Sequence, residues 1–111
     1  MKERNLRRVN LEGADLLFAR LVGAFLDGAN LKGAELIRAD LLWTRLRGVD
    51  FEGADLRKAN FKETKLKGAK NLTIDQLSKV KTLYYAELDE ELEVPLREKY
   101  PALFENPDKE E

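Results

Sequence analysis

Thirteen consecutive steps of five residues, from Leu6 through Leu36 to Leu66, land on Leu or Phe. Two residues before each of these centres sits a small or β-branched residue, such as Ala14, Ala24, Thr44, Val49 or Thr64; Arg4, in the first repeat, is the exception. Two residues after the centre stands Gly in seven of the thirteen repeats, and those seven are all the glycines of the chain. A period of five suits neither common element. On an α-helix five residues advance by about 500°, so the leucines would spiral around the rod without forming a stripe. On a straight strand, alternation would put successive leucines on opposite faces. The backbone must turn once per repeat, and Gly at one fixed position supplies the dihedral freedom for that turn. Such self-similarity predicts a solenoid in which each coil buries its apolar side on its neighbours.

The segments Ala14-Asp15-Leu16, Ala29-Asn30-Leu31, Ala39-Asp40-Leu41, Ala54-Asp55-Leu56 and Ala59-Asn60-Phe61 carry an A-(D/N)-L-x-x pattern. The chain thereby resembles the pentapeptide-repeat family over residues 4–68. The resemblance implies an all-β solenoid: a right-handed quadrilateral β-helix, four repeats to a coil of twenty residues, with the central Leu or Phe and the small residue pointing inward. Thirteen repeats then make a little over three coils.

If residues n and n+20 stack, outward charges should match vertically. Glu12, Lys32 and Glu52 alternate in sign, as do Arg7, Asp27 and Arg47; Arg20 falls under Asp40, and Asn10 under Asn30. One column disagrees, since Asp15, Glu35 and Asp55 would stack like charges.

Residues 69–111 are a different material, and the domain boundary is set there: 1–68 as the repeat β-helix, 69–111 as a helical C-terminal cap. All prolines and tyrosines lie after residue 80. Thr73-Ile74-Asp75-Gln76 predicts a capping box opening a short helix that presents Ile74, Leu77 and Val80. The Leu83 and Leu88 spacing of five, out of phase with the main array, predicts a resumed partial coil. Asp89 reads as an N-cap with Glu90 and Glu91 in the first turn. Pro95 and Pro101 should break the remainder of the tail into short helical pieces, with Leu92, Leu96, Leu103 and Phe104 as contacts. Lys109, Glu110 and Glu111 are expected to fray. A solenoid end exposes apolar side chains and unpaired backbone, which the tail is suited to cover. No comparable cap is expected at the N-terminal end, which leaves assembly there, or excision from a larger protein, as the alternatives.

The composition excludes most chemistry. There is no His, no Cys and a single Ser (Ser78), so nucleophile–base pairs of the usual kinds cannot form. The glycines belong to the five-residue turn and match no phosphate loop. The Asp15–Glu35–Asp55 column alone would attract a cation; it reads instead as exposed turn positions softened by Arg38 and Lys58, because hard cations want six or more converging oxygens. No cofactor, metal or catalytic residue is expected. One wall carries Arg7, Arg8, Arg45, Arg47, Lys65 and Lys67, but Phe25 and Asp27 interrupt it and a solvated face is expected rather than nucleic-acid binding. Lys+Arg and Asp+Glu nearly cancel at 20 and 21, so no global field steers the chain to nucleic acid or acidic lipid. No apolar run approaches a membrane span or signal core, and the absence of cysteine fits a reducing compartment, so a soluble cytoplasmic protein is expected.

The informative departure is apolar. Leu17, Phe18, Val22, Ile37, Leu42 and Trp43 occupy outward positions on two adjacent walls of the first two coils, and Phe25 extends the group around a corner. Gly23 beneath Trp43 should let the indole lie flat. Contiguous apolar patches mark interfaces, so these seven residues form the candidate interaction surface. The expected function is a non-enzymatic structural or protein-protein interaction module of bacterial type with an unidentified protein partner and at most a weak homodimer. The family resemblance implies two alternatives: a DNA-mimic binder of DNA gyrase or topoisomerase, as in quinolone resistance, or the soluble repeat module of a larger membrane-associated protein. A mimic needs acidic walls. Residues 4–68 carry 13 basic and 9 acidic side chains, and residues 69–111 carry 6 and 11, so the acidity sits in the tail.

Overall fold

The computed structural model describes residues 4–108, and the expected fraying of Lys109, Glu110 and Glu111 lies outside them. Each repeat makes one bend. In all thirteen, the residue two after the apolar centre has a positive φ, from Arg8 at 61° to Gly68 at 79°. The next N–H donates back to the central carbonyl, as from Val9 to Leu6 at 3.2 Å and from Ala39 to Leu36 at 3.0 Å. A turn with φ positive only at its second central residue is type II, the geometry glycine favours. Six repeats place Arg8, Phe18, Arg38, Trp43, Lys58 or Glu63 there instead.

Four such bends bring the chain back over itself. Parallel bridges join Asn5 to Phe25, Asn10 to Asn30, Asp15 to Glu35 and Arg20 to Asp40, and the same step continues to Asp50–Lys70. The twenty-residue register is therefore the observed one. It defines four walls: a first centred on residues 5, 25 and 45, a second on 10, 30 and 50, a third on 15, 35 and 55, and a fourth on 20, 40 and 60. Turn residues form the edges between them.

The Asn or Asp before the centre has a local task. At all eight positions so occupied, Oδ1 accepts from the N–H two residues on; Asn30 with Lys32 (3.0 Å) and Asp40 with Leu42 (3.2 Å) are examples. This Asx bond fixes the approach to the turn. The core is a stack of central residues. Leu26, Leu31, Leu36, Leu41 and Leu46 are fully buried, with Phe51 and Phe61 above them. Thr44 and Thr64 are inward too, and their hydroxyls donate to Leu41 O (2.6 Å) and Phe61 O (2.9 Å), so neither is left unsatisfied.

The tail closes the C-terminal end in three steps. Helix α1 (Ile74–Leu77), opened by the expected capping box of Thr73 and Gln76, stands where the fourth coil's third wall would be. The chain then resumes a partial coil, but Asn60 pairs with Thr82 and Lys65 with Glu87, a step of twenty-two. The two extra residues are absorbed by α1. Helix α2 (Glu90–Lys99) and a 3-10 turn (Pro101–Phe104) cover that partial coil, with Leu96 fully buried and Leu92, Leu103 and Phe104 packed on the core. Pro95 does not break α2 as expected; the carbonyl it leaves unpaired belongs to Glu91, which water reaches. Asp89 stands at the N-cap, but its carboxylate makes no capping bond. It accepts instead from Gly68 N–H at 3.1 and 3.3 Å, an edge donor of the last full coil. Leu103 O takes the N–H of Leu83 at 2.7 Å in the same way.

Candidate functional site

Six of the seven expected patch residues fall on two edges. Leu17, Phe18 and Ile37 lie on the third edge, between the third and fourth walls; Val22, Leu42 and Trp43 lie on the fourth, between the fourth wall and the first. They are edge residues rather than wall residues, because the turn rather than the bridge carries the outward pair of each repeat. Phe18 and Trp43 stand out, 61% and 58% exposed, at φ 57° and 63°. A bulky side chain in the left-handed region is an outlier that costs about 1–3 kcal/mol unless its surroundings hold it. The indole does not lie over Gly23: a side-chain carbon added at that glycine would meet nothing within 4 Å. Trp43 points to solvent instead.

Phe25 is the seventh, and the structure sets it apart. It sits on the first wall with the guanidinium of Arg7 4.5 Å from its ring centre and that of Arg45 5.3 Å away. Its neighbours are equally committed. Arg45 pairs with Asp27 (3.3 Å), while Lys65 (3.1 Å) and Arg47 (4.0 Å) share Glu87. Three of the six cations of the basic wall, Arg45, Arg47 and Lys65, are thus paired from within, and Arg7 is stacked on Phe25.

The expected vertical ion pairs are replaced by diagonal ones. Arg7, Asp27 and Arg47 stack, yet Asp27 binds Arg45; Lys32 reaches Asp50 (3.8 Å), not Glu12 or Glu52. Turn side chains stacked twenty apart point outward side by side, whereas a turn side chain and the wall residue eighteen away converge. Arg20 and Asp40 form no ion pair among the described residues. The amide ladder is present, with Asn30 Nδ2 donating to Asn10 Oδ1 at 3.3 Å. Asp40 Oδ1 likewise accepts from Asn60 Nδ2, at 3.1 Å.

On the third wall, Asp15, Glu35 and Asp55 stack as expected. Arg57, rather than Arg38 or Lys58, neutralises Asp55 through three contacts of 2.7–3.1 Å, and those hydrogen bonds hold its carboxyl below the usual aspartate range. Asp15 and Asp55 also carry the Asx bonds to Leu17 and Arg57. Among the described residues no three acidic groups are placed to share a metal ion.

The fourth wall, between the two apolar edges, does not stand out in the apolar pattern of the sequence. Phe18, Arg38, Ala39, Asp40, Lys58, Asn60 and Lys81 line an open groove of about 440 Å³ along it. Arg38 lies over Phe18 with its guanidinium 5.9 Å from the ring centre. At the top Lys62 holds Asp108 of the tail at 2.7 Å, a hydrogen bond that depresses the Asp108 carboxyl pKa. A signal for this wall does exist in the register: stepping by twenty from residues 18 and 20 collects Arg38, Lys58, Arg20 and a single carboxylate, Asp40.

A family model described as pentapeptide repeats matches the chain in eight copies, over residues 5–41, 18–53 and 34–70. No curated protein sequence matches it significantly. Among solved structures, QnrB1, a plasmid-mediated fluoroquinolone resistance protein, superposes with TM-score 0.65 at 26% identity over 83% of this chain and 44% of its own. HetL, a pentapeptide repeat protein involved in heterocyst differentiation regulation in Nostoc sp. strain PCC 7120, gives TM-score 0.58 at 38% identity, over 75% of this chain and 38% of its own. A pentapeptide repeat protein of the Arabidopsis thaliana thylakoid lumen shares the fold with TM-score 0.56 at 24% identity, over 86% of this chain and 75% of its own. The chain therefore spans less than half the length of QnrB1 or HetL.

Proposed function

The chain belongs to the pentapeptide-repeat family, and from that premise we propose that it is a non-enzymatic structural or protein-interaction module acting through the outside of a right-handed four-sided prism. In this reading the prism is the unit 1–68, described from residue 4, and the cap is the unit 69–111, described to residue 108. The observation that carries this reading is the pair of exposed aromatics, Phe18 and Trp43, held at left-handed turn positions where seven sister repeats have glycine. Strain retained at exposed apolar side chains supports a contact surface, with Leu17 and Leu42 completing it. A cytoplasmic setting is part of the proposal; among the described residues no helix is long and apolar enough to cross a membrane.

A phosphate mimic of the gyrase-binding kind would carry its carboxylates along the prism. Here a continuous column of carboxylates stands only on the third wall, and Arg38, Arg57 and Lys58 line the edge beside it, so we do not adopt that reading from the likeness to QnrB1.

Two copies joined through the third and fourth edges would bury several hundred Å². At about 25 cal/mol per Å² this favours association, and lost rigid-body freedom offsets much of it. A weak homodimer is the expected result. Trp43 is the only tryptophan, so its fluorescence reports this surface alone. A blue shift on concentration, a larger species in sedimentation, loss of both in Leu42→Lys, and loss of the larger species in Trp43→Gly would support the reading. A dimer that survives Leu42→Lys would remove these edges from it.

A further inference from the structure

The four walls differ in how far they settle their own charge. The first pairs Arg45, Arg47 and Lys65 through Asp27 and Glu87 and stacks Arg7 on Phe25, leaving Arg8 and Lys67 at its far edge without an ion pair among the described residues. The second joins Lys32 to Asp50, and the third joins Asp55 to Arg57. The fourth does not. Arg20, Arg38, Lys58 and Lys81 lie on or beside it, and among the described residues none of them forms an ion pair. Its wall carboxylate, Asp40, is turned to Leu42 N–H and Asn60 Nδ2. Two further carboxylates stand at its upper end: Glu63 on the fourth edge beside Lys62, and Asp108 of the tail, which sits on Lys62 at 2.7 Å and feels Lys81 as well. The wall thus already holds one carboxylate of an irregular segment, at its upper end, and offers unpaired cations below it.

We infer that the fourth wall is a docking groove for an extended acidic segment of a partner protein, one carrying at least one large apolar side chain. The inference rests on the protein-interaction reading above and names the chemistry of the partner. Coils rise about 4.8 Å each, so Arg38 and Lys58 form a short ladder parallel to the prism axis. Alternate residues of an extended peptide face one way every ~6.8 Å, a mismatch that long basic side chains absorb. Its apolar residues meet Phe18 on one rim and Val22 and Leu42 on the other. A nucleic-acid strand fits less well. Asp40 stands in the floor against a continuous phosphate backbone, and the rims offer aliphatic surface that bases do not need.

The test uses fluorescence anisotropy on the full chain with a labelled peptide of about twelve residues, mostly glutamate with one Leu and one Phe. Binding should weaken at least tenfold in Arg38→Glu/Lys58→Glu and fall steeply between low and physiological salt. The exposed first-wall control Lys67→Glu should bind like wild type, and circular dichroism should show every variant folded. The same peptide with glutamine for glutamate should bind at least tenfold more weakly. Equal binding of both peptides, no effect of the double charge reversal, or tighter binding of an oligothymidylate of equal charge would overturn the proposal. The interaction reading has its own fate: if the acidic peptide fails while Leu42→Lys still abolishes self-association, the apolar edges stand and only the charged groove is wrong.

Discussion

Replacing Gln76 by alanine removes the side chain on which the C-terminal closure turns. Its Oε1 accepts from Thr73 N–H at 2.9 Å, half of the capping box that starts α1. Its Nε2 donates to Phe51 O (2.9 Å) and Ala54 O (3.0 Å). In the lower coils the corresponding carbonyls, Ala14 O and Ala34 O, accept from Glu35 and Asp55 N–H. Ala54 O has no such backbone donor because Asp75 is inside α1, and the glutamine amide takes its place. Phe51 O keeps a second donor, Ala54 N–H at 2.9 Å. The loss is therefore about two effective bonds, or roughly 2 kcal/mol at about 1 kcal/mol each. For a domain near a hundred residues that lowers the melting temperature by roughly 8–16 °C. Gln76→Glu sharpens the test. It keeps the acceptor for Thr73 but sets a carboxylate against two carbonyl oxygens, so it should be at least as damaging at neutral pH. The folded-state pKa of the introduced carboxyl is raised, so the deficit relative to wild type should shrink as pH falls through that value, the protonated group donating again. Thermal melts of the three proteins at pH 7 and pH 5 decide it. An alanine variant melting within about 2 °C of wild type, or a glutamate variant as stable as glutamine at pH 7, would refute the claim that this side chain stands in for a missing coil.

Leu36→Asp should unfold the chain, since Leu36 is fully buried and an unpaired carboxylate there cannot be solvated; Lys32→Asp, which loses only the exposed 3.8 Å pair with Asp50, should melt within a few degrees of wild type, and urea denaturation followed by circular dichroism checks both. Asp50, held down first by the Asn71 amide and then by Glu52 N–H, Asp55, held down by Arg57, and Asp108, held down by Lys62, all have folded pKa values below the unfolded one. Their contribution is complete above the ordinary aspartate pKa and is lost as pH falls below it, so stability should be flat from neutral pH to about 5 and decline below about 4, and an Asp50→Asn variant should show a shallower decline.

The repeat was legible because one physical demand recurs every fifth position: an apolar centre and a left-handed turn thirteen times, with a small or β-branched residue before the centre in twelve of them. Even the Asn or Asp before the centre is readable once the Asx bond is considered, since Asn60 and Asp40 do locally what the motif requires. The outward pairing was not legible from a register of twenty alone. Asp27 meets Arg45 and not Arg47 because side chains leave the turn at an angle to the wall, a matter of direction that spacing does not encode. The tail was half legible. Thr73 and Gln76 announce a capping box, and Leu83 and Leu88 a resumed coil, but the step of twenty-two depends on how much chain α1 consumes. The use of Gln76, Asp89 and Leu103 O to satisfy edge groups depends on which donors and acceptors the last coil leaves over. Those are known only once the stack is built.

What separates the fourth wall from its siblings is the outward residue choice, for the backbone of all four is the same. A left-handed turn position is no signal alone, since Arg8, Lys58 and Glu63 hold it with polar side chains that lose little by exposure. Phe18 and Trp43 accept the same dihedral cost and gain no burial in return. Arg38 and Lys58 stack over Phe18 on its own edge and Arg20 lies on the wall between, and among the described residues none of these cations forms an ion pair as Arg45 and Lys65 do on the first wall. Within one repeat, the chain had residues available to settle both: glycine at the turns and acidic partners on the diagonal, as it uses elsewhere. Apolar rims and unpaired cations left together on one wall are what a surface completed by another chain requires.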